Sequence, residues 1–290
     1  MIVDEPAFLA SLRALPLHPG ARGLADDAAV LAIGGETLVL THDTMVEGVH
    51  FLPEQDMADV AWKLVAVNLS DLAAKGAEPV GVLLGYQLGR DDEAFLHGLN
   101  EALETLGVPL LGGDTVGGAG PRSFGLTAIG RATHTPVPSR GGARPGDTVW
   151  LTGAVGHAML GFEALRDGTG APSEAYRRPT PKLAEGRALA PLVSAMMDVS
   201  DGLLLDCWRM ASASEASIRL ESRVIPMADP LRRDECLRWG DDYELLFTLP
   251  PGVACPVSAT PIGMVQGGAD APLRLDDTAF ETSDGLGFTH

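Results

Sequence analysis

Thr41-His42-Asp43-Thr44-Met45-Val46-Glu47-Gly48-Val49-His50-Phe51 follows the apolar run Leu38-Val39-Leu40, and its reading decides the fold. The run has the aliphatic, β-branched make-up of a short buried strand, so Asp43 is expected at a sheet edge. A lone Asp at a strand end is ordinarily a turn cap that bonds its own backbone. Here the pattern repeats. Apolar segments end in, or carry, acids at Asp26-Asp27, Asp43, Asp71, Asp114 and the Asp198/Asp201 pair. Caps alone do not call for such a set.

Composition narrows the classes. A chain of 290 residues exceeds the usual size of one domain, so two are expected. With 46% hydrophobic but only 5% aromatic residues, the chain is aliphatic and globular rather than disordered. A net charge of -18 argues against a nucleic-acid surface, which needs clustered Lys and Arg. Any polyphosphate ligand must then be held through metal ions. Cys207, Cys236 and Cys255 are scattered, without the spacing of a zinc site or an even disulfide set, which fits a reducing cytoplasm. Asp4 and Glu5 stand where a signal peptide would be basic, and no apolar run approaches membrane-spanning length. No membrane association is expected.

Working outward, residues 6–15 read as a short helix that packs through Phe8, Leu9, Leu12 and Leu15. The loop 23–31 carries Asp26 and Asp27 side by side before a strand. Adjacent acids repel unless a cation or donor lies between them, although a solvated turn reads that motif equally well. Residues 56–77 form an amphipathic helix with Asp56 as its N-cap. An exposed Asp71–Lys75 pair at i, i+4 is the simple reading there. Against it, the aliphatic neighbours of Asp71 imply a half-buried carboxylate that needs a partner.

Strands are expected at 81–88, 108–115 and 123–131, with a helix over 91–106. Gly112-Gly113-Asp114 is a common turn, yet its glycines also let backbone amides approach phosphate oxygens while the Asp holds a metal. The stretch 133–147, rich in Pro, Gly and Arg, is read as the domain boundary, giving units 1–137 and 138–290. Beyond it come a strand at 147–152, a helix at 156–165, and a strand running through Asp198-Val199-Ser200-Asp201-Gly202 into a helix. Ser200 or Asp201 is expected to cap that helix, which leaves Asp198 unexplained. Gly240-Asp241-Asp242-Tyr243-Glu244 places acids before another strand. No G-x-x-x-x-G-K-[ST], H-R-D or G-x-S-x-G motif occurs. Magnesium suits an acid-rich, glycine-punctuated phosphate site.

Six stretches carry a resemblance: 26–30, 41–51, 67–76, 112–115, 197–203 and 240–247. Together they make the sequence similar to the thiamine-monophosphate kinases, within the superfamily of aminoimidazole ribonucleotide synthetase. The resemblance implies a two-domain α/β fold whose N-terminal sheets pair across a homodimer. It also implies phosphoryl transfer from ATP to thiamine monophosphate, with no general base and no phosphoenzyme. Asp27, Thr41, His42, Asp43, Asp71, Asp114, Asp198 and Asp201 would hold magnesium. Gly113, Arg131 and Ser200 would contact ATP, while His50, Asp241 and the tail position Leu286 would meet the substrate. This chain departs from the family pattern at Ala25, His42, Asp241 and Leu286, where Gly, Thr, Glu and an aromatic residue are usual. The rival readings are another ATP-using synthetase of the superfamily, or a nucleotide-binding regulator without catalysis.

Overall fold

The computed structural model describes residues 5–268 and 271–289, which form two sheets flanked by helices. The first unit runs α1 (Glu5–Arg13), β1 (Ala29–Ile33), β2 (Glu36–Val46), α2 (Met57–Ala74), β3 (Ala77–Gln87), α3 (Asp92–Leu106), β4 (Leu110–Val116) and β5 (Ser123–Ala132). Its strands lie in the order β1-β2-β5-β3-β4. All neighbours are antiparallel except β3 and β4, which α3 joins as a crossover.

The second unit runs β6 (Thr148–Thr152), α4 (His157–Arg166), α5 (Glu174–Arg177), α6 (Leu183–Leu189), β7 (Ala195–Asp198), α7 (Leu203–Ala213) and β8 (Ser217–Leu220). It continues through α8 (Arg233–Arg238), β9 (Leu245–Leu249), β10 (Ala259–Gln266), β11 (Leu273–Leu275) and β12 (Thr278–Phe280). Its sheet order is β12-β11-β8-β10-β6-β9-β7.

The helix α2 is the axle of the molecule. Asp56 caps it through a bond from the Ala58 amide, as its sequence predicts. Every α2 residue except Asp71 is buried, so the helix is central rather than amphipathic. It packs on β2, β3 and β5, on α3, and also on α6 and β7 of the second unit. Ala73 and Ala74 share an apolar cluster with Leu189, Met196, Leu245 and Phe247 across the two units. Close approach is possible because Gly186 has no side chain: a Cβ there would lie 2.0 Å from the Ala73 carbonyl oxygen.

Buried polar groups on α2 each find a partner from another element, as burial demands. Asp59 receives Arg177 and Arg178, and the Trp62 indole donates to the Pro179 carbonyl at 3.0 Å. Lys63 reaches Asp241, and Ser70 reaches Asp198. These bonds fix the second unit against the helix.

Two expectations are corrected. The strand β2 continues through Asp43 to Val46, because β5 pairs with it along that whole length, so Asp43 lies within a strand rather than at its end. The stripe expected over 6–15 packs only in part: Leu9 and Leu12 are half-buried, while Phe8 and Leu15 are each 56% exposed. Asp4 lies outside the described residues.

Candidate active site between the two units

Alternation along β2 sorts the central stretch. Thr41, Asp43 and Met45 share one face and His42 and Thr44 the other. The Asp43 amide donates to Asn68 Oδ1 on α2 at 3.1 Å, which ties that face to the helix. The Thr41 hydroxyl donates to Asp71. Asp198, at the end of β7, accepts from Ser70. One oxygen from each of Asp27, Asp71 and Asp198 lies within 4.8 Å of the others.

These carboxylates repel one another in a poorly hydrated place. Burial, with the charges of Asp201 and Asp27, pushes Asp43 up to about 6. Burial, with Asp27, pushes Asp198 up to about 8. Asp71 rises well above its ordinary value through burial and then through Asp43, Asp198 and Asp27. Oxygen-only ligands, clustered and, at Asp43, Asp71 and Asp198, without a Lys or Arg partner among the described residues, fit a hard divalent cation such as magnesium.

A cavity of about 330 Å³ opens on this cluster, lined also by Val49, His50, Lys63, Tyr176 and Asp241. Phe162, Trp239 and Phe288 add an aromatic wall. Phe162 packs on Tyr176 at 5.3 Å and on Trp239 at 5.1 Å between ring centres. Asp241 is oriented at both oxygens, by Lys63 Nζ at 2.6 Å and by the Tyr243 hydroxyl at 2.8 Å. Its neighbour Asp242 accepts from the Gly156 amide instead, and Glu244 accepts from Thr152, so the three acids of this loop divide their tasks.

Several residues fall elsewhere than expected. His42 bonds Thr127 Oγ1 at 2.9 Å on the opposite sheet face, so its imidazole does not join the carboxylates. Leu286 is buried in the core of the second unit, and Phe288 lines the cavity in its place. Arg131 is half-exposed and pairs with Glu36. Neither Ser200 nor Asp201 caps α7: Gly202 opens that helix, and Asp206 accepts the Ser200 and Asp201 amides. Both residues line the cavity, and the Asp201 carboxylate pairs with Arg209.

Asp114 and Gly113 lie on the exposed edge strand β4. Asp43 pairs with Leu126, Leu126 with Leu84, and Leu84 with Gly113, which puts β4 about 14 Å from β2. Gly113 has a local reason to be glycine, since a Cβ would lie 1.9 Å from the Leu84 carbonyl oxygen.

The sequence reading missed Lys75 and Arg140. Lys75 turns away from Asp71 and pairs with Asp26 and Asp27. Arg140, from the linker read only as a boundary, grips Asp27. An arginine eight residues before a strand carries no periodic signal, so only its partner identifies it.

Residues 25–132 match the family described as AIR synthase related protein, N-terminal domain, and residues 144–261 match its C-terminal domain. The thiamine-monophosphate kinase of Escherichia coli (strain K12) is 37% identical, over 79% of this chain and 76% of its own length. The chain belongs to the thiamine-monophosphate kinase family. The Halobacterium salinarum kinase is 32% identical over 99% of this chain and 100% of its own length. The solved structure of AaThiL complexed with AMPPCP and TMP has a TM-score of 0.86 at 26% identity, covering 99% of this chain and 97% of that one. The thiamine monophosphate kinase structure from Aquifex aeolicus has a TM-score of 0.79 at 28% identity, over 88% and 92% of the two chains. Among the described residues, no helix is long and apolar enough to cross a membrane.

Proposed function

We propose that this chain transfers the γ-phosphoryl group of ATP to the phosphate of thiamine monophosphate, giving thiamine diphosphate and ADP in its central cavity. One observation carries the reading: a single cavity joins the carboxylates of Asp43, Asp71 and Asp198 to a wall of aromatic rings. Asp27, Asp43, Asp71 and Asp198 supply oxygen ligands for magnesium. When bound there, magnesium would supply the positive charge that offsets the repulsion between two phosphate anions.

The remaining groups hold and orient. Thr41, Ser70 and Asn68 fix Asp71, Asp198 and the Asp43 backbone before substrate arrives. Ser200 would contact ATP and Asp201 would add a magnesium ligand from the cavity wall, where both residues lie. His50 and Asp241, the latter steadied by Lys63, meet the acceptor. A thiazolium over Trp239, Phe162 or Phe288 gains roughly 0.5–2 kcal/mol from the ring face. The acceptor is a phosphate monoester with a second pKa near 6, already largely anionic at neutral pH, so no general base is required.

A homodimer completes this reading, with residues 1–137 as the pairing unit and 138–290 as the second. Two edges of the first sheet support it. The β2 segment from Thr41 to Val46 has β5 on one side only, since β1 covers only Glu36 to Leu40. The β4 strand pairs only with β3 and exposes Leu110, Leu111 and Val116. Long apolar edges are ordinarily covered. Laying β4 of a second copy along that β2 edge would carry the Asp114 of that copy toward Asp43. A Leu111→Lys, Val116→Lys double variant is expected to halve the mass seen in sedimentation and to lower activity at least tenfold. An unchanged mass rules this edge out.

A cytoplasmic site of action accords with the three cysteines, all free thiols. The decisive assay incubates the purified chain with ATP, magnesium and thiamine monophosphate. Stoichiometric thiamine diphosphate, abolished by EDTA, is expected; ATP consumption without that product refutes the assignment.

A further inference from the structure

Lys75 ends α2 completely buried, with Nζ 2.5 Å from Asp26 Oδ1, 2.6 Å from Asp27 Oδ2 and 3.2 Å from the Met196 carbonyl oxygen. Two carboxylates and a carbonyl make the all-oxygen shell that a hard cation takes. Burial alone would push the ammonium down, yet Asp27 and Asp26 outweigh it and hold Lys75 above its ordinary value. Asp26 and Asp27 respond in kind. Burial raises both, but Lys75 with Arg22 for Asp26, and Arg140 with Lys75 for Asp27, bring them below the usual carboxylate range.

The site is thus divided by its ion pairs. Among the described residues no Lys or Arg pairs with Asp43, Asp71 or Asp198, whereas Arg22 and Lys75 pair with Asp26, and Lys75 and Arg140 with Asp27. Asp27 belongs to both halves, because an oxygen of it also lies within 4.8 Å of Asp71 and Asp198 oxygens. Its Oδ2 pairs with Lys75, and Arg140 holds its Oδ1.

We infer that Lys75 is a built-in cation that takes the place of one divalent ion on the Asp26–Asp27 side of the cluster. That arm of the site is assembled without metal, and divalent ions are needed only toward Asp43, Asp71 and Asp198. The inference rests on the metal-dependent kinase reading given above. It makes Lys75 a positioning residue rather than a catalytic one.

The test counts ions and does not rely on turnover. Wild type, Lys75→Met and Lys75→Arg are titrated with Mn2+ in the presence of a non-hydrolysable ATP analogue, free Mn2+ being read by electron paramagnetic resonance. Each is also melted with EDTA and with Mn2+. Lys75→Met is expected to bind one more Mn2+ per chain than wild type and to gain more in Tm from the ion. Lys75→Arg, which keeps the charge, follows wild type. Equal Mn2+ counts and equal Tm gains in wild type and Lys75→Met overturn the inference. So does a Lys75→Met chain that folds neither with nor without the ion, since a divalent ion should fit the vacated shell. A wild type that binds no Mn2+ at all removes the metal reading of the whole site, and this inference with it.

Discussion

Asp71→Asn is expected to lower kcat by roughly 10²- to 10³-fold, the equivalent of about 3–4 kcal/mol of lost charge stabilisation, while raising the Tm of the metal-free protein. Both effects have one cause. Asp71 is the single α2 residue that is only half-buried, and it lines the cavity with Asp43 and Asp198. Burial and those neighbours hold its pKa well above the ordinary carboxylate range, so an ionised Asp71 is under repulsion until a cation arrives. Asn keeps the shape and can still accept from the Thr41 hydroxyl, but it brings no charge to repel its neighbours or hold a metal. Steady-state kinetics and melting in EDTA measure the two effects. Wild-type turnover, or a Tm lowered by several degrees, contradicts the role assigned to this carboxylate.

The metal-free protein should lose a few kcal/mol of stability as the pH rises from about 5 to about 8. The sign follows from proton counts. Burial and neighbouring carboxylates push Asp43 up to about 6 and Asp198 up to about 8 in the fold, from an ordinary 3.8. Between 3.8 and those values the native state binds more protons than the unfolded state, so stability is greatest at the acid side of the window. It is lost as each group ionises on the way up. Asp206, pushed up to about 7 by burial and by Asp201, adds in the same direction. Asp26 and Asp27, held low by their cations, titrate below this window and do not oppose it. Saturating magnesium should flatten the slope by supplying the positive charge that protons supply at low pH. Urea unfolding at several pH values, with EDTA and with magnesium, reads both slopes; a flat profile in EDTA defeats the account.

Much of this was legible in the residue order. The acids at 27, 43, 71, 198 and 241 announce themselves by recurring beside apolar segments, and all five lie at the site. The Asp56 cap and the helix it begins follow from local chemistry alone. Depth was harder to read. The periodicity of α2 marks an apolar face, but burial on all sides depends on a second unit arriving against the other face, and α1 bears a similar stripe that is only partly covered.

What the sequence determined by itself is which residue types the chain possesses, which local segments they favour, and the family to which the motifs belong. Tertiary structure alone decided who meets whom. It paired Lys75 with Asp26 and Asp27, turned His42 to the far face, buried Leu286 while leaving Phe288 at the cavity, brought Arg140 in from the linker, and set Asp114 three strands from Asp43. The reason is physical. Propensity and periodicity act over a few neighbouring residues, whereas strand register and helix contact are set by burial shared among segments a hundred residues apart, and the electrostatics of a site depend on those distances.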